Sequence, residues 1–178
     1  MGSLALVSAG GVERKFREIV LPHLADALSL ARWLTGSVHD GEDVVQEACI
    51  RALKGIDGFE GGNAKAWLLA IVRNTCFTWL ARHRPKALLL TGDQEMIEAV
   101  SATGPSPEAE MIARAEAIAV ERAITSLPHL SREIVVLRDI NGLSYREIGE
   151  MLAIPQGTVM SRLARARSLL AAELGRKP

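Results

Sequence analysis

The sequence predicts an all-α protein arranged as two small helical domains. Aromatic residues make up only 4% of the 178 positions while Ala, Leu, Ile, Arg and Glu dominate, which is a helix-forming composition. Apolar residues recur every three or four positions through several separate segments, and Pro and Gly cluster between those segments. A hydrophobic fraction of 48% is ample for buried cores and excludes a disordered chain.

The first helical pattern runs from Val12 to Leu34 through Phe16, Ile19, Val20, Leu24, Leu28 and Ala31, with Pro22 splitting it in two. Residues 1–11 are expected to be a flexible N-terminus. Ser37 and Asp40 mark a new start, and Val44, Val45, Ala48, Cys49, Ala52 and Leu53 form the expected buried stripe of a helix ending near Gly55 and Gly58. Its acids, Asp40, Glu42, Asp43 and Glu47, crowd the first half, where the positive end of the helix dipole favours them. Asn63 can cap a third helix with Trp67, Leu68, Ile71, Val72, Thr75, Cys76, Trp79 and Leu80 as its stripe, stopping before Pro85. These helices form one bundle over residues 12–86.

The clean period is lost over residues 87–106, which read as a flexible linker, and a second domain over 107–178 begins with Ser106-Pro107 as cap and first helical residue. Its first helix continues to Leu127 and is stopped by Pro128. Short helices are then expected over 131–139, 144–152 and 155–174. Ser144-x-x-Glu147 is a capping box, in which each residue satisfies an orphan amide near the other. Helix, brief turn at Ala153-Ile154, helix is a helix-turn-helix outline.

Net charge is zero, with 21 basic residues against 21 acidic ones, but the charges are segregated. Residues 73–86 hold Arg73, Arg82, Arg84 and Lys86 with no acid; residues 156–178 hold Arg162, Arg165, Arg167, Arg176 and Lys177 against Glu173 alone. The balancing negative charge sits mainly between, over 89–121, where Asp93, Glu95, Glu98, Glu108, Glu110, Glu116 and Glu121 face Arg114 alone. Two basic faces joined by an acidic connector are compatible with polyanion binding despite the neutral total.

Other function classes find little support. There is no Gly-rich phosphate loop, no nucleophile motif, and no His, Cys and carboxylate cluster, so neither an enzyme nor a metal or cofactor site is expected. Cys49 and Cys76 lack C-x-x-C spacing and read as core residues of a reduced protein. Residues 1–11 lack the pattern of a secretion signal, and no apolar run approaches the roughly 20 residues of a membrane span. A cytoplasmic protein without membrane insertion or small-molecule substrate is expected.

The segment Leu143 to Arg167 carries the most information. Ile148, Met151, Leu152, Val159 and Leu163 supply its packing, while Gln156, Thr158, Met160, Ser161, Arg162 and Arg165 present short polar and basic groups suited to a major groove and its phosphates. Arg167 is expected to reach the DNA backbone or an acid of its own domain. Ile154-Pro-Gln-Gly-Thr-Val-Met-Ser-Arg-Leu-Ala-Arg-Ala-Arg167 resembles the recognition helix of extracytoplasmic-function (ECF) sigma factors, and Leu127-Pro128 with Arg132 to Arg138 resembles the start of the same domain. A response-regulator output domain would also fit that half. In the first domain, Asp40-x-Glu-Asp-Val-Val-Gln-Glu47 resembles the family's polymerase-binding helix, and Phe59 to Asn74 its promoter-melting segment, in the expected order.

The resemblance implies a non-catalytic initiation factor that binds core RNA polymerase and promoter DNA and is restrained by an anti-sigma factor until a stress or envelope signal. It assigns Asp40, Asp43, Val44, Gln46 and Glu47 to the polymerase. The minus-ten DNA falls to Gly61, Gly62, Asn63, Lys65, Arg73, Asn74, Arg82 and Arg84, and the minus-thirty-five element to Gln156, Thr158, Met160, Ser161, Arg162 and Arg165. The residue types fit: two glycines let backbone approach a nucleotide, Asn offers both donor and acceptor, and arginines take phosphates. Helical spacing makes Trp67 a core residue and the acids of 40–47 equally explicable as a solvated, well-capped helix. Met160 departs from the family, where that position is often basic. A two-domain helix-turn-helix regulator whose N-terminal bundle senses a ligand or dimerises is the remaining alternative.

Overall fold

The computed structural model describes residues 3–83 and 107–175, with side chains over 11–83 and 114–175. Packing divides the chain into two compact units, Met1–Pro85 and Lys86–Pro178. Among the described residues every regular element is helical.

Unit one contains α1 (Ser3–Ile19), α2 (Leu24–Thr35), α3 (Val38–Gly55) and α4 (Ala64–His83). Helix α1 begins at Ser3, not Val12, so the flexible N-terminus expected over 1–11 is helical from Ser3 onward. A single 3-10 turn, Leu21–His23, separates α1 from α2, because Pro22 cannot donate to a continuous helix but fits a first turn. Ser37 caps α3 by accepting the Asp40 amide at 3.3 Å, and the Asn63 side chain accepts the Ala66 amide at 3.2 Å to start α4.

The core of unit one is a three-helix contact among α2, α3 and α4. Leu30, Leu34, Val44, Ala48, Leu68, Leu69, Val72 and Cys76 are all at most 2% exposed. Burying each large aliphatic side chain contributes about 1.5–3 kcal/mol. Small residues of α3, Val44, Ala48 and Ala52, bring it close to its neighbours, whereas Leu53 is 43% exposed and leaves the stripe expected to hold it. Cys49 is half-buried, and desolvation pushes its thiol pKa up.

Unit two contains α5 (Pro107–Ser126), α6 (His129–Val135), α7 (Tyr145–Leu152) and α8 (Gln156–Gly175). Helix α6 starts at His129 with Pro128 as its cap, two residues before the expected start, and passes into a π-helical turn over Val136–Ile140. Ile134, Val136, Leu137, Ile148, Val159 and Leu163 form the core. Arg132 is only 4% exposed and its guanidinium donates to the Thr125 carbonyl at 2.5 Å and the Leu127 carbonyl at 3.1 Å. It thereby satisfies carbonyls that the end of α5 leaves open. Burial pushes its pKa down to about 10, still far above neutrality, so it stays charged.

Candidate nucleic-acid interface

The helix-turn-helix of unit two is fixed by three local devices. The capping box is complete: the Ser144 hydroxyl accepts the Glu147 amide at 3.2 Å and the Glu147 carboxylate accepts the Ser144 amide at 2.7 Å. Ala153 holds the turn in the left-handed conformation at φ 53°, which costs a non-glycine residue roughly 1–2 kcal/mol. Gly149 permits the close approach: a Cβ there would lie 2.9 Å from the Ile154 carbonyl oxygen.

Helix α8 divides its residues by face. Val159, Leu163 and Ala166 are buried against the unit, while Gln156, Gly157, Met160, Ser161, Arg162 and Arg165 are exposed and Thr158 is half-buried. All six residues expected to meet DNA on this helix therefore lie outside its buried stripe. Arg167 goes to an acid of its own unit, donating to both Asp139 oxygens at 3.2 and 2.5 Å. That hydrogen-bonded carboxylate raises its pKa. The π-helical turn places Asp139 for this contact and lets Arg138 donate to the Leu143 carbonyl at 2.8 Å while lying 4.8 Å from the Tyr145 ring centroid.

In unit one the expected residues are less uniformly placed. Asp43 and Gln46 of α3 are exposed, Asp40 and Glu47 are half-buried, and Glu47 is ion-paired with Arg51 one turn on. Val44 is fully buried and cannot touch a partner; its role is to hold the acidic face from beneath. The structure adds two residues that sequence reading missed. Ile50 and Leu53, 54% and 43% exposed, continue the Asp43–Gln46 stripe at three- and four-residue spacing. Exposed large aliphatics in line with exposed polar groups suit a protein partner. The pattern was concealed because Leu53 also fits the register of the buried stripe.

The turn before α4 exposes Gly61 and Gly62 at φ 103° and 94°, values open to glycine, with nothing near either Cβ position. Backbone there is accessible to a nucleotide. Asn63 spends its side-chain oxygen on the helix cap. Lys65, expected to face DNA, is instead ion-paired with Asp26 of α2 at 2.8 Å, with the side chains 25% and 30% exposed. Arg73 donates to the Asn74 side chain at 3.3 Å and packs 4.6 Å from the centre of the Phe77 ring. Asn74 and Arg82 are exposed, and α4 carries no carboxylate along its length. Arg84 lies outside the described residues, as does the linker of 87–106. Trp67 is half-buried against Phe59, ring centroids 5.2 Å apart, as a packing residue. Trp79 stacks on His83 at 4.4 Å.

Among the described residues no group of three His, Cys, Asp or Glu side chains is arranged to hold a metal ion, and no helix is long and apolar enough to cross a membrane.

Comparison with known proteins assigns both units. Residues 19–86 match the family model for Sigma-70 region 2 and residues 117–170 that for Sigma-70, region 4. The chain is 32% identical to the ECF RNA polymerase sigma factor SigW of Bacillus subtilis over 92% of its own length and 91% of the relative's. It is 34% identical to the ECF RNA polymerase sigma-E factor of Escherichia coli strain K12, covering 90% and 86%. Against SigE of Mycolicibacterium smegmatis identity is 36%, with the chain spanning 59% of that relative. Among solved structures, the sigma factor RpoE of Bartonella quintana in complex with the anti-sigma factor NepR superimposes with a TM-score of 0.68 at 29% identity, over 92% of this chain and 98% of that one. CnrH in complex with the cytosolic domain of CnrY gives 0.69 at 27% identity, over 98% and 97%. With a region 2 module whose α4 surface bears no carboxylate and a region 4 module presenting a helix-turn-helix, the chain belongs to the ECF RNA polymerase sigma factors, non-catalytic proteins that direct core RNA polymerase to specific promoters.

Proposed function

We propose a division of labour among the exposed residues. The α3 stripe of Asp40, Asp43, Gln46 and Glu47, extended by Ile50 and Leu53, docks on core polymerase. The Gly61–Asn63 turn with Arg73, Asn74 and Arg82 takes the minus-ten DNA. The outward face of α8 reads the minus-thirty-five element. The observation that carries the assignment is the face separation on α8, where every expected DNA residue lies off a buried stripe of Val159, Leu163 and Ala166. On α3 the same logic favours a protein partner, because its exposed stripe joins acids, which DNA phosphates repel, to large exposed aliphatics.

The protein works in the cytoplasm, where its polymerase and promoters are, and responds to a stress or envelope signal. An anti-sigma factor restrains it, as the complexes formed by two of its structural relatives support. Purified protein added to core polymerase is expected to produce promoter-specific transcripts that core alone does not. Asp43→Lys, on an exposed position, is expected to weaken core binding about tenfold with the melting temperature unchanged. Transcription indifferent to the added protein, together with tight operator binding in a gel shift without polymerase, would reverse the reading in favour of a free-standing regulator.

A further inference from the structure

Met160 stands out on the DNA-facing side of α8. It is 54% exposed, in the second turn of a helix whose packing needs are met by Val159, Leu163 and Ala166. Gln156 and Ala164, four residues either side of it, are both exposed, so more than half of the Met160 side chain stands in solvent. Next to it Gly157 is also exposed, and a Cβ there would meet nothing within 4 Å. Nothing inside the unit requires a glycine at a position where alanine is the better helix former. The fold thus leaves one flexible apolar side chain beside a deliberately low patch of surface, on the side that meets DNA.

The major groove offers hydrogen-bond donors and acceptors at every base pair but only one ordinary apolar group, the C5-methyl of thymine. A thioether side chain has neither the charge to hold a phosphate nor a donor for guanine O6 and N7. We propose that Met160 is a specificity-determining residue that selects thymine at one position of the minus-thirty-five element by contact with its 5-methyl group. This rests on the assignment of α8 to that element. The low surface at Gly157 brings the start of the helix close enough to the base edges for Met160 to reach the methyl.

The test begins with full-length protein and core polymerase transcribing a library randomised in both promoter elements. The selected promoter is then rebuilt with deoxyuridine replacing each thymidine of the minus-thirty-five element in turn, which removes only the methyl. The expected result is that one substitution lowers initiation about fourfold, the worth of one buried methyl group. Met160→Ala should lose that sensitivity, Met160→Leu should keep it, and Met160→Arg should shift the selected base away from thymine. Because Met160 is exposed, circular dichroism melts should be superimposable for all three. A promoter that is selected but tolerates deoxyuridine everywhere, or a Met160→Ala protein as sensitive as the parent, would overturn the proposal alone. Failure to select any promoter would overturn it together with the assignment of α8.

Discussion

The two regions proposed to meet DNA are built on different plans. In unit two one helix does both jobs on opposite faces: Val159, Leu163 and Ala166 hold α8 down, and Gln156, Met160, Arg162 and Arg165 stand clear of them. In unit one the two jobs interpenetrate. Lys65 is drawn into an ion pair with Asp26, Asn63 caps the helix it precedes, and Arg73 lies over Phe77. A helix anchored along one stripe can vary its outer face without cost to stability, whereas a helix that starts at a binding turn cannot. Substitutions in unit two should therefore affect either stability or promoter activity, and those around the α4 turn should affect both.

The largest effect should come from breaking the scaffold of unit two. Gly149→Val places side-chain carbon against the Ile154 carbonyl and is expected to cost about 3 kcal/mol, read as lost hydrogen-exchange protection across α7 and α8 with α2 to α4 unaffected. Equal loss of protection in both units would show that their stabilities are coupled. Next is the outward face. Replacing Arg162 and Arg165 together by Ala should remove about two phosphate contacts, reducing the salt dependence of promoter binding by about two units of slope while stability stays within about 0.5 kcal/mol. A clear drop in stability would mean that α8 does not separate its faces. The smallest effect belongs to Lys65→Met. Loss of a partly exposed ion pair should cost unit one about 0.5 kcal/mol, followed by the fluorescence of Trp33, Trp67 and Trp79, all of which lie in that unit. It should also reduce promoter opening, because Lys65 ties the start of α4, and with it the glycine turn, to α2. Opening that is unaffected would place Lys65 with the scaffold alone.

The same contrast governs what the sequence discloses. Features set by neighbours in the chain were legible: Ser37 and Asn63 as caps, Pro22 as a divider, the Ser144–Glu147 box, and the division of α8 into a buried stripe and an exposed face. Each depends on residues within one helical turn. What escaped depends on groups distant in sequence or on register. Asp26 is too far from Lys65 for spacing to announce their pairing. Leu53 fits the apolar period of α3 yet is 43% exposed, because period alone does not say where along a helix its neighbours stop covering it. In the sequence Val44 reads both as part of the buried stripe and as a polymerase contact, and at 0% exposure only the first reading fits. The π-helical turn of 136–140 is invisible to periodicity, since one extra residue per turn looks like an ordinary helix ending late.

Ala153, at the bend between α7 and α8, fixes where α8 begins, and the buried Val159, Leu163 and Ala166 fix its course over the following turns. The backbone of the outward face is therefore a rigid ruler, with positions spaced about 1.5 Å apart along the helix. Any adjustment to a partner is left to the side chains. Gln156 is short of reach and must find its partner where the backbone puts it, whereas the long guanidinium side chains proposed to take phosphates, Arg162 and Arg165, can follow a phosphate that has shifted.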